Sequence, residues 1–316
     1  MTTVDPLVEI PTQAEVSKPP GVFRVALRMW RTRIGLVMLI VLVLIAIVGP
    51  YIAPYGEQEF VAQPNTRVVE TCTPEATANN TPCIEAGQPA VRFGTDYFGQ
   101  DVLSRTLWGG RSILILATLS TALALLFGVT IGLVAAYNRG RTDTLLMRVM
   151  DILLAFPALL LALVALTTVG PEPWLIVLIV AIGTLPRIAR ITRGAAVPVV
   201  ERDFVAAAEA LGESRPRILS RELLPNISGP LLVEANLRLT YSIGSIAALG
   251  FLGFATRPNA ADWGLMVNEN RIALSVQPWG TVLPAICIAL LTVSTGLMAD
   301  GLSRSSAGID RAKGDQ

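Results

Sequence analysis

The stretch ILLAFPALLLALVAL, residues 152–166, carries no polar side chain at any helical spacing, so a helix built from it has no face to offer water. It belongs to one of six such runs, which cover residues 34–51, 112–137, 144–168, 174–191, 228–254 and 279–302. Each is close to or above the roughly 20 residues that an α-helix needs to cross a hydrocarbon core about 30 Å thick. A large soluble bundle would show polar stripes every three to four residues. The chain is therefore expected to be an all-α integral membrane protein with six transmembrane helices. Only 16% of its 316 residues are charged and 52% are hydrophobic, whereas about a quarter of an average soluble domain is charged.

Orientation follows from the arginines of the short connections. Arg24, Arg28, Arg31 and Arg33 precede the first run, Arg139, Arg141 and Arg148 follow the second, and Arg187, Arg190, Arg193, Arg202, Arg215, Arg217 and Arg221 lie at the end of the fourth or after it. The connection between the third and fourth runs has none. Both termini are thus expected on the cytoplasmic side, with tails at 1–33 and 303–316 around a membrane region at 34–302. Residues 1–20 are polar and Pro-containing, which predicts a disordered tail rather than a signal peptide.

The outward connection, 52–110, is too long for a simple turn. It contains Cys72 and Cys83 within TCTPEATANNTPC. In an oxidising compartment a disulfide is the favoured reading, with two free thiols in a loose insertion as the other. Cys287 falls in the sixth run and reads as a small buried apolar residue.

Several chemistries are excluded. The chain has no histidine, which removes His-based acid–base catalysis and His-ligated metals. Its two lysines, Lys18 and Lys313, lie in no phosphate-binding loop. A net charge of +1 gives no basic field for nucleic acid. Neither a cofactor nor a metal is expected on this chain.

One polar segment interrupts the apolar pattern, RDFVAAAEALGESRPRILSRELLPN at 202–226. Phe204, Ala207, Ala208 and Leu211 share a helical face at i, i+3, i+4 and i+7, and Arg202, Asp203, Glu209 and Glu213 largely avoid it. Gly212 suits the left-handed end of that helix, Ser214 is placed to cap a second one, and Pro216 falls in its first turn. Pro225 and Pro230 break or restart the chain before the fifth run. Two short helices joined at a glycine are expected. Periodicity alone leaves two roles open, a solvated surface pair and a docking element for another subunit.

The same segment resembles the cytoplasmic coupling loop of the membrane subunits of bacterial ABC importers. That pattern is Glu-Ala-Ala, three residues, Gly, nine residues, then Ile-x-Leu-Pro. Ala206, Ala207 and Ala208 take the first places, Gly212 the glycine, and Leu224 and Pro225 the close. Ala206 stands where the family has Glu, and Glu222 where it has Ile. Other stretches resemble the C-type subunit of the dipeptide/oligopeptide/nickel permease branch: FGTDYFGQDVLSRTLWGGRSIL, GRTDTLLMRVMDILLAFPALLLAL, RIARITRG and ALGFLGFATRPNAADWGLMV. Gln100 replaces that family's arginine. The likeness is strongest from about residue 94 to residue 300.

The resemblance implies a non-catalytic permease domain at 34–302 with a coupling loop at 201–226. It also implies a second related permease subunit, two P-loop ATPase domains that hold ATP and Mg, an extracytoplasmic peptide-binding protein, and a surrounding bilayer. Ala206, Ala207, Ala208, Glu209, Leu211, Gly212, Leu224 and Pro225 would then form the ATPase-coupling set. Asp96, Asp101 and Arg105 are expected as a salt-bridged scaffold at the outer mouth, with local loop capping as the equal alternative. Glu234 and Arg238, four apart, are expected to pair. Asn236, Tyr241, Ser242 and Ser245 are candidate pathway-lining residues, although such hydroxyls also bond within a bundle. For Arg187, Arg190 and Arg193, contact with an ATPase and anchoring at the interface both stay open.

Peptides are the expected cargo, with nickel chelates and glutathione-like compounds as alternatives. An ion-coupled transporter would need intramembrane relays, which most of the runs lack. A membrane enzyme would need a clustered polar set that the chain does not display.

Overall fold

The computed structural model describes residues 26–67, 72, 83, 90–257 and 259–306. The calls on the tails at 1–25 and 307–316 lie outside it.

Among the described residues the chain is helical, with two isolated β-bridges, Phe60 to Gln100 and Thr95 to Asp101. The helices are α1 (Trp30–Ile52), α2 (Val102–Asn138), α3 (Gly140–Ala155), α4 (Ala158–Val169), α5 (Pro173–Val200), α6 (Asp203–Ala210), α7 (215–226, with a π-turn at Ile218–Leu223), α8 (Ser228–Phe251), α9 (Trp263–Asn270) and α10 (Trp279–Ser306).

Two helices outrun their apolar stretches. α2 starts at Val102 rather than near 112, because Asp101 caps it by accepting a hydrogen bond from the Ser104 amide. Its 37 residues rise about 55 Å, well beyond a hydrocarbon core. α5 runs past residue 191 to Val200. The connection expected at 52–110 accordingly ends at Asp101.

The third run does not form one helix. α3 and α4 meet at an angle of 76°. Phe156, ahead of Pro157, is extended with φ −89° and ψ 130°, since the pyrrolidine ring disfavours helical geometry in the residue before it and supplies no amide donor. Among the described residues, four helices, α1, α2, α5 and α10, are long and apolar enough to cross a membrane, or five if the bent pair counts as one span. α8 falls short because Glu234, Asn236 and Arg238 dilute its apolar character. It is the interior helix, packed on α2, α4, α5, α9 and α10, so lipid does not demand apolarity of it all round.

Packing relies on small residues. Gly128 and Gly132 on α2 are spaced by four, and α5 crosses on top of them. A Cβ at Gly128 would lie 2.8 Å from the Cβ of Ile188, and one at Gly132 would lie 2.6 Å from that of Thr192. In hydrocarbon, where helix association depends on close packing, such glycines set the contact. The central core gathers Ile113, Ala117, Leu166, Ile176, Ile243, Leu249, Trp263 and Leu291. Val37, Leu44 and Ile47 of α1 are exposed, as a lipid-facing helix requires.

Candidate functional site

The two ends of α2 carry the polar features. At its C-terminal end sits the segment 201–226, which forms the expected pair of short helices. Gly212 adopts φ +76°. Its amide donates to the Glu209 carbonyl, and the Glu213 amide donates to the Ala208 carbonyl at 3.1 Å, the paired bonds that close a helix through a left-handed glycine. Pro216 lies in the first turn of α7, whereas the Ser214 hydroxyl makes no capping bond.

This hairpin is rooted by a few apolar side chains. Val205, Ile218, Leu223, Ile227 and Leu231 are buried against Leu133, Ala136 and Ala196 at the ends of α2 and α5. What remains faces outward: Ala206, Ala207, Glu209 and Gly212 are exposed, and Leu211 is 84% exposed. Ala208, Leu224 and Glu222 are half-buried, and Pro225 is exposed. Tyr137 of α2 and Ala208 of α6 both pack on this apolar root, which ties α6 back to α2.

At the other end of α2, Arg105 is fully buried. It pairs with Asp96 and, at 3.0 Å, with Glu269 of α9, while its second terminal nitrogen donates to the carbonyls of Asn259 and Ala260. The second Asp96 oxygen accepts from the amides of Phe98 and Gln100. The expected trio is thus corrected. Asp101 does not join Arg105; it takes the capping role, accepting from the Ser104 amide and hydroxyl. Glu269 is the third charged member, and a separation of 164 positions offered no signal for it. Burial pushes the Glu269 carboxyl above its usual range, opposed by the Arg105 charge. It pushes Asp101 the same way, opposed by the Ser104 bonds. Asp262 caps α9, and the Trp263 indole donates to the Thr106 carbonyl at 2.8 Å. These contacts lock the loops beside α2 into one rigid cap. The structure also joins Cys72 to Cys83 as a disulfide.

Between the ends, Glu234 and Arg238 pair at 2.6 Å as their spacing implies, and Arg238 lies over the Tyr241 ring at 4.9 Å. Of the proposed lining residues, two turn into helix seams. Asn236 donates to the Thr295 carbonyl, and the buried Ser242 hydroxyl accepts from Thr121. Tyr241 and Ser245 instead border a small cavity between α4, α5 and α8. In the α5 arginine row, Arg193 takes both oxygens of Asp143 and Arg190 pairs with Asp151, both on α3. Among the described residues, no cluster of potential metal ligands occurs.

The comparisons with known proteins converge. The family model for the inner membrane component of binding-protein-dependent transport systems matches residues 128–307. The model for the N-terminal transmembrane domain of oligopeptide transport permease C matches residues 28–66. A di/tripeptide transport system permease protein, DppC, of Pseudomonas aeruginosa (strain UCBPP-PA14) is 34% identical over 85% of this chain and 84% of its own length. A putative peptide transport system permease of Brucella suis biovar 1 (strain 1330) is 37% identical over 91% of this chain and 92% of its own. The glutathione transport system permease GsiD of Escherichia coli O6:K15:H31 (strain 536 / UPEC) is 32% identical over 83% and 81%. With a rooted, outward-facing hairpin at one end of a multi-helix membrane bundle, this chain belongs to the family of inner membrane components of binding-protein-dependent transport systems.

Proposed function

We propose that this chain is a permease subunit of an ATP-driven ABC importer that carries peptides across the cytoplasmic membrane. The observation that carries this reading is the hairpin at 201–226. Its buried root joins it to α2, α5 and α8, while Leu211 and the alanines around it are presented outward. An apolar residue left that exposed at the tip of a rooted hairpin suits a groove on another subunit.

In this assembly a second related permease completes the pathway and an extracytoplasmic binding protein delivers the peptide. Two P-loop ATPase domains hold ATP and Mg beneath the pair. The chain itself performs no hydrolysis. The bilayer is crossed six times, with α3 and α4 together forming the third crossing and α8 the fifth, and both termini are cytoplasmic. The arginine distribution supports this orientation. Closure of the ATPase pair pushes the hairpin, and the apolar root passes the displacement to α5 and α8. The Arg105 cap then serves as the fixed end. Peptides are favoured as cargo by the names of the relatives at 34% and 37% identity, and glutathione, itself a tripeptide, by GsiD.

The test is to purify the tagged chain from its native membranes in mild detergent and identify what accompanies it. A second permease and P-loop ATPases are expected, and are expected to be lost when Ala207 and Leu211 are replaced by Trp. Recovery of the chain alone, transporting on an ion gradient, would overturn the reading.

A further inference from the structure

Arg187, Arg190 and Arg193 follow one another at three-residue intervals on α5. Two rungs of this row are filled from α3, Arg193 by Asp143 and Arg190 by Asp151. One turn further along α3 stand Leu154 and Ala155, then the break at Phe156. Among the described residues, nothing acidic meets the third rung. Arg187 is exposed and has no ion pair or hydrogen bond among the described residues. It nonetheless lies inside a helix long and apolar enough to span a membrane, about 20 Å along its axis from Trp174. An unpaired guanidinium at that depth is costly unless it faces water or an anion.

Arg187 does border such a space. A cavity of about 70 Å³ opens between α4, α5 and α8, bounded by Arg187, Thr184, Tyr241, Ser245 and the first residues of α4. Thr184 spends its hydroxyl on the Val180 and Ala181 carbonyls. The hydroxyls of Tyr241 and Ser245 have no partner among the described residues. Arg238 steadies the Tyr241 ring and is itself neutralised by Glu234. The cavity therefore offers one uncompensated cation and two free hydroxyl donors, with no carboxylate in its wall. Ala158, Leu159 and Ala162 of α4 complete this wall.

We propose that Arg187 is a substrate-reading residue of the translocation path, which receives the C-terminal carboxylate of a peptide in transit, assisted by Tyr241 and Ser245. This rests on the importer reading above. A guanidinium matches a carboxylate through two parallel hydrogen bonds. A single cation also holds its ligand weakly enough to release it, as passage requires.

The complete complex in proteoliposomes, with its binding protein and internal ATP, tests this. Uptake is measured for a peptide with a free C-terminal carboxylate and for its C-terminal amide, a pair chosen so that the binding protein holds both. For each peptide the variant rate is divided by the wild-type rate, which cancels the binding protein's preference. Arg187→Gln is expected to slow the carboxylate peptide about tenfold and the amide less than twofold, with Arg187→Lys in between and ATPase recovery unchanged. Equal rates for variant and wild type, or equal losses for both peptides, would overturn the proposal and leave Arg187 an interfacial anchor or a structural residue. A wild-type complex that takes up neither peptide would overturn the importer reading with it.

Discussion

Arg105 on α2 and Glu269 on α9 lie 164 positions apart in the chain and 3.0 Å apart in space. The guanidinium is fully buried and also meets Asp96. Removing a partner from a buried pair strands the remaining charges, which typically costs about 3 to 5 kcal/mol. Arg105→Gln is therefore expected to lower the thermal midpoint of the purified chain far more than Asp101→Ala, which removes a helix cap worth about 1 kcal/mol. Similar losses in a detergent melting experiment would show that the cluster does not hold the cap together.

Gly212 offers a second test, because nothing lies within 4 Å of a Cβ placed on it. Any effect of substitution must come from its backbone, at φ +76°, where an ordinary side chain costs roughly 1 to 2 kcal/mol and Asn is tolerated best. Gly212→Leu is expected to uncouple ATP hydrolysis from uptake, and Gly212→Asn to preserve coupling. Transport per ATP hydrolysed is the measurement, and normal coupling in both variants would remove the hairpin from the mechanism.

Val205 and Leu211 divide the same hairpin into root and tip. Val205 is 1% exposed and Leu211 is 84% exposed. Leu211→Ser is expected to change the stability of the isolated chain by less than about 0.5 kcal/mol while reducing the ATPase that co-purifies with it. Val205→Asp buries an unpaired carboxylate and is expected to lower stability first. Thermal melts beside pull-downs separate the two effects.

Gly128 tests the seam between α2 and α5. A Cβ there would press to within 2.8 Å of Ile188, so Gly128→Val forces the helices apart, at a cost of about 1 to 3 kcal/mol. Lower yield and a lower melting temperature of the membrane-extracted chain are expected, while Gly194→Ala, with open space around it, serves as the silent control.

By itself the sequence determined what depends on near neighbours along the chain. The apolar runs located the long helices, and the spacing around Gly212 located the hairpin and its left-handed turn. The four-residue interval between Glu234 and Arg238 located their pair. Each of these follows from helical geometry within a turn or two. Only the tertiary structure decided which helix faces meet. Pro50, Pro186 and Pro284 sit inside helices that continue through them, whereas Pro157 divides α3 from α4, because neighbouring helices determine whether a freed backbone group is satisfied in place. Asn236 and Ser242 share their helix with Tyr241 and Ser245, yet α10 and α2 cover the first two and leave the others at a cavity. Arg105 found Glu269, and Arg187 found no charged partner among the described residues, for the same reason: a long polar side chain takes its partner from whichever segment packs against it, and that choice is made by burial of the whole bundle.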